Sequence, residues 1–356
     1  MTKQKYPRYT ALIDRMALIL LVMCALIYLS GRFIGFTRTL FILADGYNIT
    51  ADIVFLLIDC VVNIVIMCIV PIKIFNYFHW NAFREKCLPV EQKIISKDLI
   101  APVFVLGLCL TYVVALINNY IGGAIKFADI TGLGEEYLFL SGMKYGYQII
   151  IYLISIAVIP AIVEELVFRK TFCDALAPYG AKTAIIITSV LFALMHRDFA
   201  RVIFTFVMGV FCSWLYIGTK NIKIPMLLHF LNNLFAGIET VIWYRVSQEA
   251  YSTVVIARFI LFAIISVACF VYIMSKREGQ KYALIRELRE SGEYDAYIEK
   301  KAKYKRYIEM LPDENGEEVQ SLSAGERIKG FFSPLTVVFI VLIIIQMFYH
   351  LSFRLV

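Results

Sequence analysis

Residues 146–170, GYQIIIYLISIAVIPAIVEELVFRK, decide the reading of this chain. The apolar run from about 146 to 166 has the length of a helix that crosses hydrocarbon. It ends in Glu164, Glu165 and, one turn later, Arg169. Charged groups are costly in lipid, so an intramembrane ionisable residue marks function by default. Pro160 loosens the helix just before them and frees a backbone carbonyl. Glu165 and Arg169 are four apart, share a face, and stand in the favourable Glu-before-Arg order. Glu164 points about 100° away round the helix. The spacing therefore predicts two tasks: one glutamate neutralised by Arg169, the other free to face a cavity as a general base. The plain alternative is a charge cluster where a helix leaves the membrane.

Similar runs lie on both sides, at about 12–30, 52–72, 99–120, 183–199, 201–218, 224–245, 252–275 and 331–352. The chain of 356 residues is 60% apolar, with a mean hydropathy of +0.73. These values predict an all-α, polytopic transmembrane helical bundle of eight or nine spans, a bilayer its first partner. The fifth and sixth runs are the least regular, because Arg197, Asp198 and Arg201 crowd their junction. That junction is either an irregular helix or a turn in a protein-lined cavity. Five blocks follow: N-terminal spans in 1–145, a core in 146–245, an eighth span in 246–275, a charged arm in 276–330 and a final span in 331–356.

The net charge of +7 needs no nucleic acid, since basic residues collect on cytoplasmic loops. Lys3, Lys5 and Arg8 precede the first run, which reads as an uncleaved anchor. Lys73, Arg84, Lys86, Lys93 and Lys97 make the second loop basic, and Asp129, Glu135 and Glu136 make the third acidic. This alternation predicts a cytoplasmic N-terminus in a cell membrane. The composition suits a bacterial protein. The eight cysteines read as small buried hydrophobes, neither a disulfide framework nor a metal set. The 276–330 arm carries mixed charge and repeated tyrosines, with Leu284, Ile285 and Leu288 spaced as an amphipathic helix against the cytoplasmic face and a turn at 312–316. It is a solvated connector or a docking arm for a cytoplasmic partner.

Three further residues extend the chemistry. His196 closes the fifth run one turn after Phe192. It is a packing histidine or a helper in activating water. His229 and Asn233 share a face of the seventh run and could donate to one developing oxyanion, or hydrogen-bond between helices. Asn232 faces elsewhere. Asp59 and Asn63, four apart in the second run, pair with a neighbouring helix or line the cavity. Glu239, His79 and His350 read as interfacial or structural. Nucleophile elbows and His-Glu-x-x-His zinc motifs are absent from the sequence.

Glu164-Glu165-x-x-x-Arg169, Phe192-x-x-x-His196 and His229-x-x-x-Asn233 resemble, in this order, the three signature motifs of the CAAX protease and bacteriocin-processing (CPBP, or Abi) family. The resemblance covers about residues 145–245. It implies an intramembrane glutamic endopeptidase acting on a lipidated or leader-type, membrane-associated protein or peptide. Glu164 would be the base on the attacking water, with His196 assisting. Glu165 and Arg169 would be the supporting ion pair, and His229 and Asn233 the oxyanion hole. No cofactor is expected. Two histidines and a glutamate would match zinc by ligand type, but Arg169 beside them disfavours a cation. The competing readings are a non-catalytic scaffold that binds through the 276–330 arm, and a proton-coupled transporter, for which the sequence shows no inverted repeat.

Overall fold

The computed structural model describes residues 7–45, 49–77, 95–124, 146–197, 199–243, 247–299 and 324–352. Apolar segments in lipid must satisfy their own backbone, and among the described residues every regular element is helical. The elements that place the site are α1 (Pro7–Asp45), α2 (49–77), α3 (Lys97–Ala124), α4 (146–176), α5 (Ala181–Met195), α6 (Phe199–Thr219), α7 (Lys223–Trp243), α8 (Gln248–Glu290), α9 (Ala324–Phe331) and α10 (Pro334–Ser352). Among the described residues seven helices are long and apolar enough to cross a membrane, and α9 with α10, bent by 64°, makes an eighth if taken as one span. Rows of large apolar side chains on their outer faces stay exposed, among them Phe33, Leu43, Ile264, Val267 and Ile345. The chain is an integral membrane protein.

Two expectations meet a different structure. The run at 183–199 forms the 15-residue α5, about 22 Å long and short of a hydrocarbon core of about 30 Å. It stops because Arg197 takes a left-handed conformation (φ 54°) and turns the chain into α6. The boundary expected at 275/276 falls inside α8, whose 43 residues continue past Lys276 and Arg277 as a largely exposed rod. Leu284 there is exposed. The rod ends where Gly292 (φ 75°) lets the Glu293 amide reach the Leu288 carbonyl at 2.9 Å. The loop residues Arg84, Lys86, Lys93, Asp129, Glu135 and Glu136, His79, Asp198 and the turn at 312–316 lie outside the described residues.

Two apolar cores flank the centre. One joins α1, α4, α5 and α10 through residues such as Leu12, Met16, Phe168, Phe172, Phe192 and Phe339. The other joins α3, α6 and α8 through Val103, Phe211, Leu215 and Ile273. Lipid supplies little hydrophobic drive between helices, so close approach at small residues matters. A methyl at Gly209 of α6 would lie 3.0 Å from the Cα of Ser189 on α5. One at Gly237 of α7 would lie 2.5 Å from Ile156 on α4.

Gly209→Ala should therefore cost about 1–3 kcal/mol, the usual penalty of overpacking. Gly31→Ala on α1, where the methyl meets nothing within 4 Å, should be neutral or stabilising by up to about 1 kcal/mol. Thermal unfolding of both variants in detergent checks this, and equal effects would contradict the packing described.

Candidate active site

The centre is built on the irregular helix α4. Two π-helical stretches, Ile154–Val158 and Leu166–Cys173, flank the short α-helical turn Ile159–Glu165 that carries Pro160 and both glutamates. An unbroken α-helix would pair the Ile156 carbonyl with the amide of residue 160, but proline has none. Asn233 of α7 fills that role, its Nδ2 donating to the Ile156 oxygen at 3.1 Å. Gly237, one turn further along α7, permits the approach. Widened turns of this kind occur mostly at functional sites.

Glu165 and Arg169 are fully buried, and Arg169 Nη1 lies 3.1 Å from Glu165 Oε1. The same oxygen accepts from Nδ1 of buried His229 at 2.9 Å. A carboxylate only accepts, so Nδ1 carries the proton, and Nε2 is left facing the other glutamate. The Arg169 fork also reaches the Gly209 carbonyl at 3.4 Å, and its guanidinium lies 4.5 Å from the centre of the Phe192 ring. Phe192 is thus the hub: its ring also stands edge-on to His196 (4.8 Å), His229 (5.9 Å) and Phe168 (5.1 Å).

Glu164 turns away from this pair, as the helical spacing requires. Its Oε2 is 3.9 Å from His229 Nε2, too far for a hydrogen bond. That buried oxygen has no hydrogen-bond partner among the described residues. Glu164 lines a cavity of about 330 Å³ whose wall also includes His196, Arg197, Asp59, Asn63, Ser155 and Pro160. The Nδ1 of His196 donates to the Phe192 carbonyl at 2.9 Å, which leaves its Nε2 as an acceptor.

All six expected residues therefore gather at one place, but not on one surface. Glu164 and His196 line the cavity, whereas Glu165, Arg169, His229 and Asn233 form the layer behind it. Asn232 is less detached than expected, since its amide donates to Asn233 Oδ1 at 3.3 Å. Sequence reasoning did not find the Gly209 carbonyl or Ser155. It left Arg197 open between two readings, and both features it weighed are present: a broken helix and a cavity wall. Glu239 pairs with Arg258 and accepts from the Tyr251 hydroxyl at 3.1 Å, away from this centre. Among the described residues no three His, Cys, Asp or Glu side chains converge as a metal ion would need.

The class defined so far is a polytopic helical membrane protein with a buried Glu–Arg–His centre beside a lined cavity. The family described as Type II CAAX prenyl endopeptidase Rce1-like matches residues 146–235, the stretch that carries every one of these groups. The chain is 30% identical over 149 residues to the membrane-embedded CAAX protease MroQ of Staphylococcus aureus (strain USA300), covering 40% of this chain and 59% of the relative. It is also 30% identical over 132 residues to the "Putative membrane peptidase YdiL" of Bacillus subtilis (strain 168), covering 36% and 52%. The chain thus spans little more than half the length of these curated relatives. No solved structure is significantly similar. Over residues 146–235 the chain is similar to the CAAX protease and bacteriocin-processing family of membrane proteins.

The buried pair should behave as a unit. Arg169→Met leaves the Glu165 charge uncompensated and should cost about 3–5 kcal/mol, as breaking a buried pair does. Adding Glu165→Gln should recover part of that loss. A double-mutant cycle on unfolding in detergent measures the coupling, and simple additivity would contradict the geometry.

Proposed function

We propose that this chain is an intramembrane endopeptidase that hydrolyses a peptide bond of a membrane-associated, lipidated or leader-type protein or peptide with a water activated by Glu164. One observation carries the reading. Of two adjacent glutamates, Glu165 is held through Oε1 by Arg169 and His229, while Glu164 has no arginine or lysine partner among the described residues and lines the cavity beside His229. The relatives named as a CAAX protease and as a membrane peptidase support the reaction class.

In this mechanism a water sits between Glu164 and His229. Glu164 takes one of its protons as the oxygen adds to the peptide carbonyl, and the same carboxyl then delivers that proton to the leaving amine. His196, with Nε2 open to the cavity, assists the proton transfer. Two donors of the layer behind the wall are assigned to the developing oxyanion. One is the second amide proton of Asn233, whose first goes to the Ile156 carbonyl. The other is His229 Nε2–H, which requires the ring to be protonated on both nitrogens. Buried donors of this kind are worth about 10²–10³ in rate each. Glu165 orients the His229 ring, and Arg169, paired with Glu165, leaves Glu164 without an arginine of its own on α4. No metal or cofactor takes part in the proposed route. The orientation read from loop charges places the N-terminus in the cytoplasm and opens the cavity from the cytoplasmic leaflet.

The test is cleavage of a library of lipidated and leader-type peptides by the purified protein in nanodiscs. Glu164→Ala should abolish turnover, and Asn233→Ala should lower kcat by about 10²-fold with little change in KM. A strong chelator should leave the wild type active. Loss of activity with chelator would replace the glutamate mechanism by a metal one. A cellular role that survives Glu164→Ala, with no peptide cleaved, would favour the scaffold.

A further inference from the structure

The cavity has walls the mechanism does not use. Asp59 and Asn63 of α2 face Glu164 across it, and Asn63 Nδ2 donates to Asp59 Oδ2 at 2.8 Å. This bond aims the carboxylate without neutralising it. Among the described residues Asp59 has no cationic partner, although it sits in the middle of an apolar helix where an unpaired charge is costly. The other carboxylate of α2 shows what compensation looks like: Asp52 is buried and accepts from Arg38 of α1 at 2.7 and 3.2 Å.

The cavity is also polarised along its length. Asp59, Cys60 and Ser155 line the same part of the cavity, where α2 packs against the Ile154–Val158 stretch of α4. Glu164 is nine residues further along that helix, about 13 Å at an α-helical rise. At the Glu164 end the wall carries Arg197, directly after His196, held in a left-handed conformation with a buried Nε that has no hydrogen-bond partner among the described residues. The base end is therefore flanked by a fixed cation and the far end by an uncompensated anion. Much of the rest of the wall is apolar, with Ile27, Leu56, Met67, Ile156, Ile159 and Val163.

The geometry points to Asp59, set by Asn63, as a specificity-determining residue that takes a lysine or arginine side chain of an otherwise apolar peptide. An extended chain advances about 3.3 Å per residue, so that side chain lies within about four residues of the scissile bond. The basic residue enters at the Asp59 end because Arg197 offsets the Glu164 charge at the other, whereas Asp59 has no cation beside it. The peptide is thereby threaded in one direction past Glu164. This inference rests on the proposed peptide substrate.

Binding tests it without requiring turnover. Fluorescently labelled twelve-residue Leu/Ala peptides with one central lysine, norleucine or glutamate are titrated against the protein in nanodiscs of zwitterionic lipid. The wild type should bind the lysine peptide about tenfold tighter than the norleucine one, the effect of one charge-assisted contact. Asp59→Asn should erase this preference and Asp59→Glu should keep most of it, whereas Ser155→Ala on the same wall should leave it unchanged. A wild type without preference for lysine overturns the inference whatever the variants do. An equal preference in wild type and a folded Asp59→Asn also overturns it. An Asp59-dependent preference in a protein that cleaves nothing sinks the hydrolytic reading and leaves the subsite standing. Cleavage without such a preference does the reverse.

Discussion

A single buried ion pair organises this protein. Glu165 and Arg169 sit wholly out of solvent on one turn of α4, and such charges persist in hydrocarbon only when paired. The compensation recruits three other helices. His229 comes from α7, the Gly209 carbonyl from α6, and the face of Phe192 from α5. The close contact of α5 with α6 at Gly209 and Ser189 follows from the same demand, because the carbonyl of Gly209 must reach the guanidinium. The pair also sets the chemistry by exclusion. With Arg169 committed to Glu165, the neighbouring Glu164 keeps an unpartnered oxygen beside the cavity.

The irregularity of α4 is the second constraint. Pro160 removes one backbone donor, and the π-helical stretches before and after it widen the helix around the two glutamates. The carbonyl that loses its partner becomes the anchor of Asn233, so a helix defect is converted into a link between α4 and α7. Asn233 is thereby held in place with one amide proton to spare, which is what a preorganised donor needs.

Much of this was legible in the sequence, for physical reasons. Apolar runs of bilayer length define helices almost without ambiguity, and the four-residue spacings of Glu165 with Arg169 and of His229 with Asn233 fix shared faces. Pro160 announced a freed carbonyl, although not its partner. What was not legible came from contacts between helices. Nothing in the spacing says that His229 would turn Nδ1 to Glu165, or that Phe192 would stand between an arginine and two imidazoles. Hydropathy also gave α5 a full span, because it counts apolar residues through 199 and does not register the left-handed turn at Arg197. Hydropathy likewise marks where the apolar run stops near 275 but does not register that the helix itself runs on to Glu290.

The division of labour between two adjacent glutamates is the central claim, and the two glutamine variants test it side by side. Glu164→Gln and Glu165→Gln would each be measured for thermal stability in detergent and for peptide cleavage in nanodiscs. The account predicts that Glu164→Gln melts with the wild type and cleaves nothing, whereas Glu165→Gln melts well below it. A Glu164→Gln protein that still turns over peptide, or a Glu165→Gln protein as stable as the wild type, would contradict the assignment.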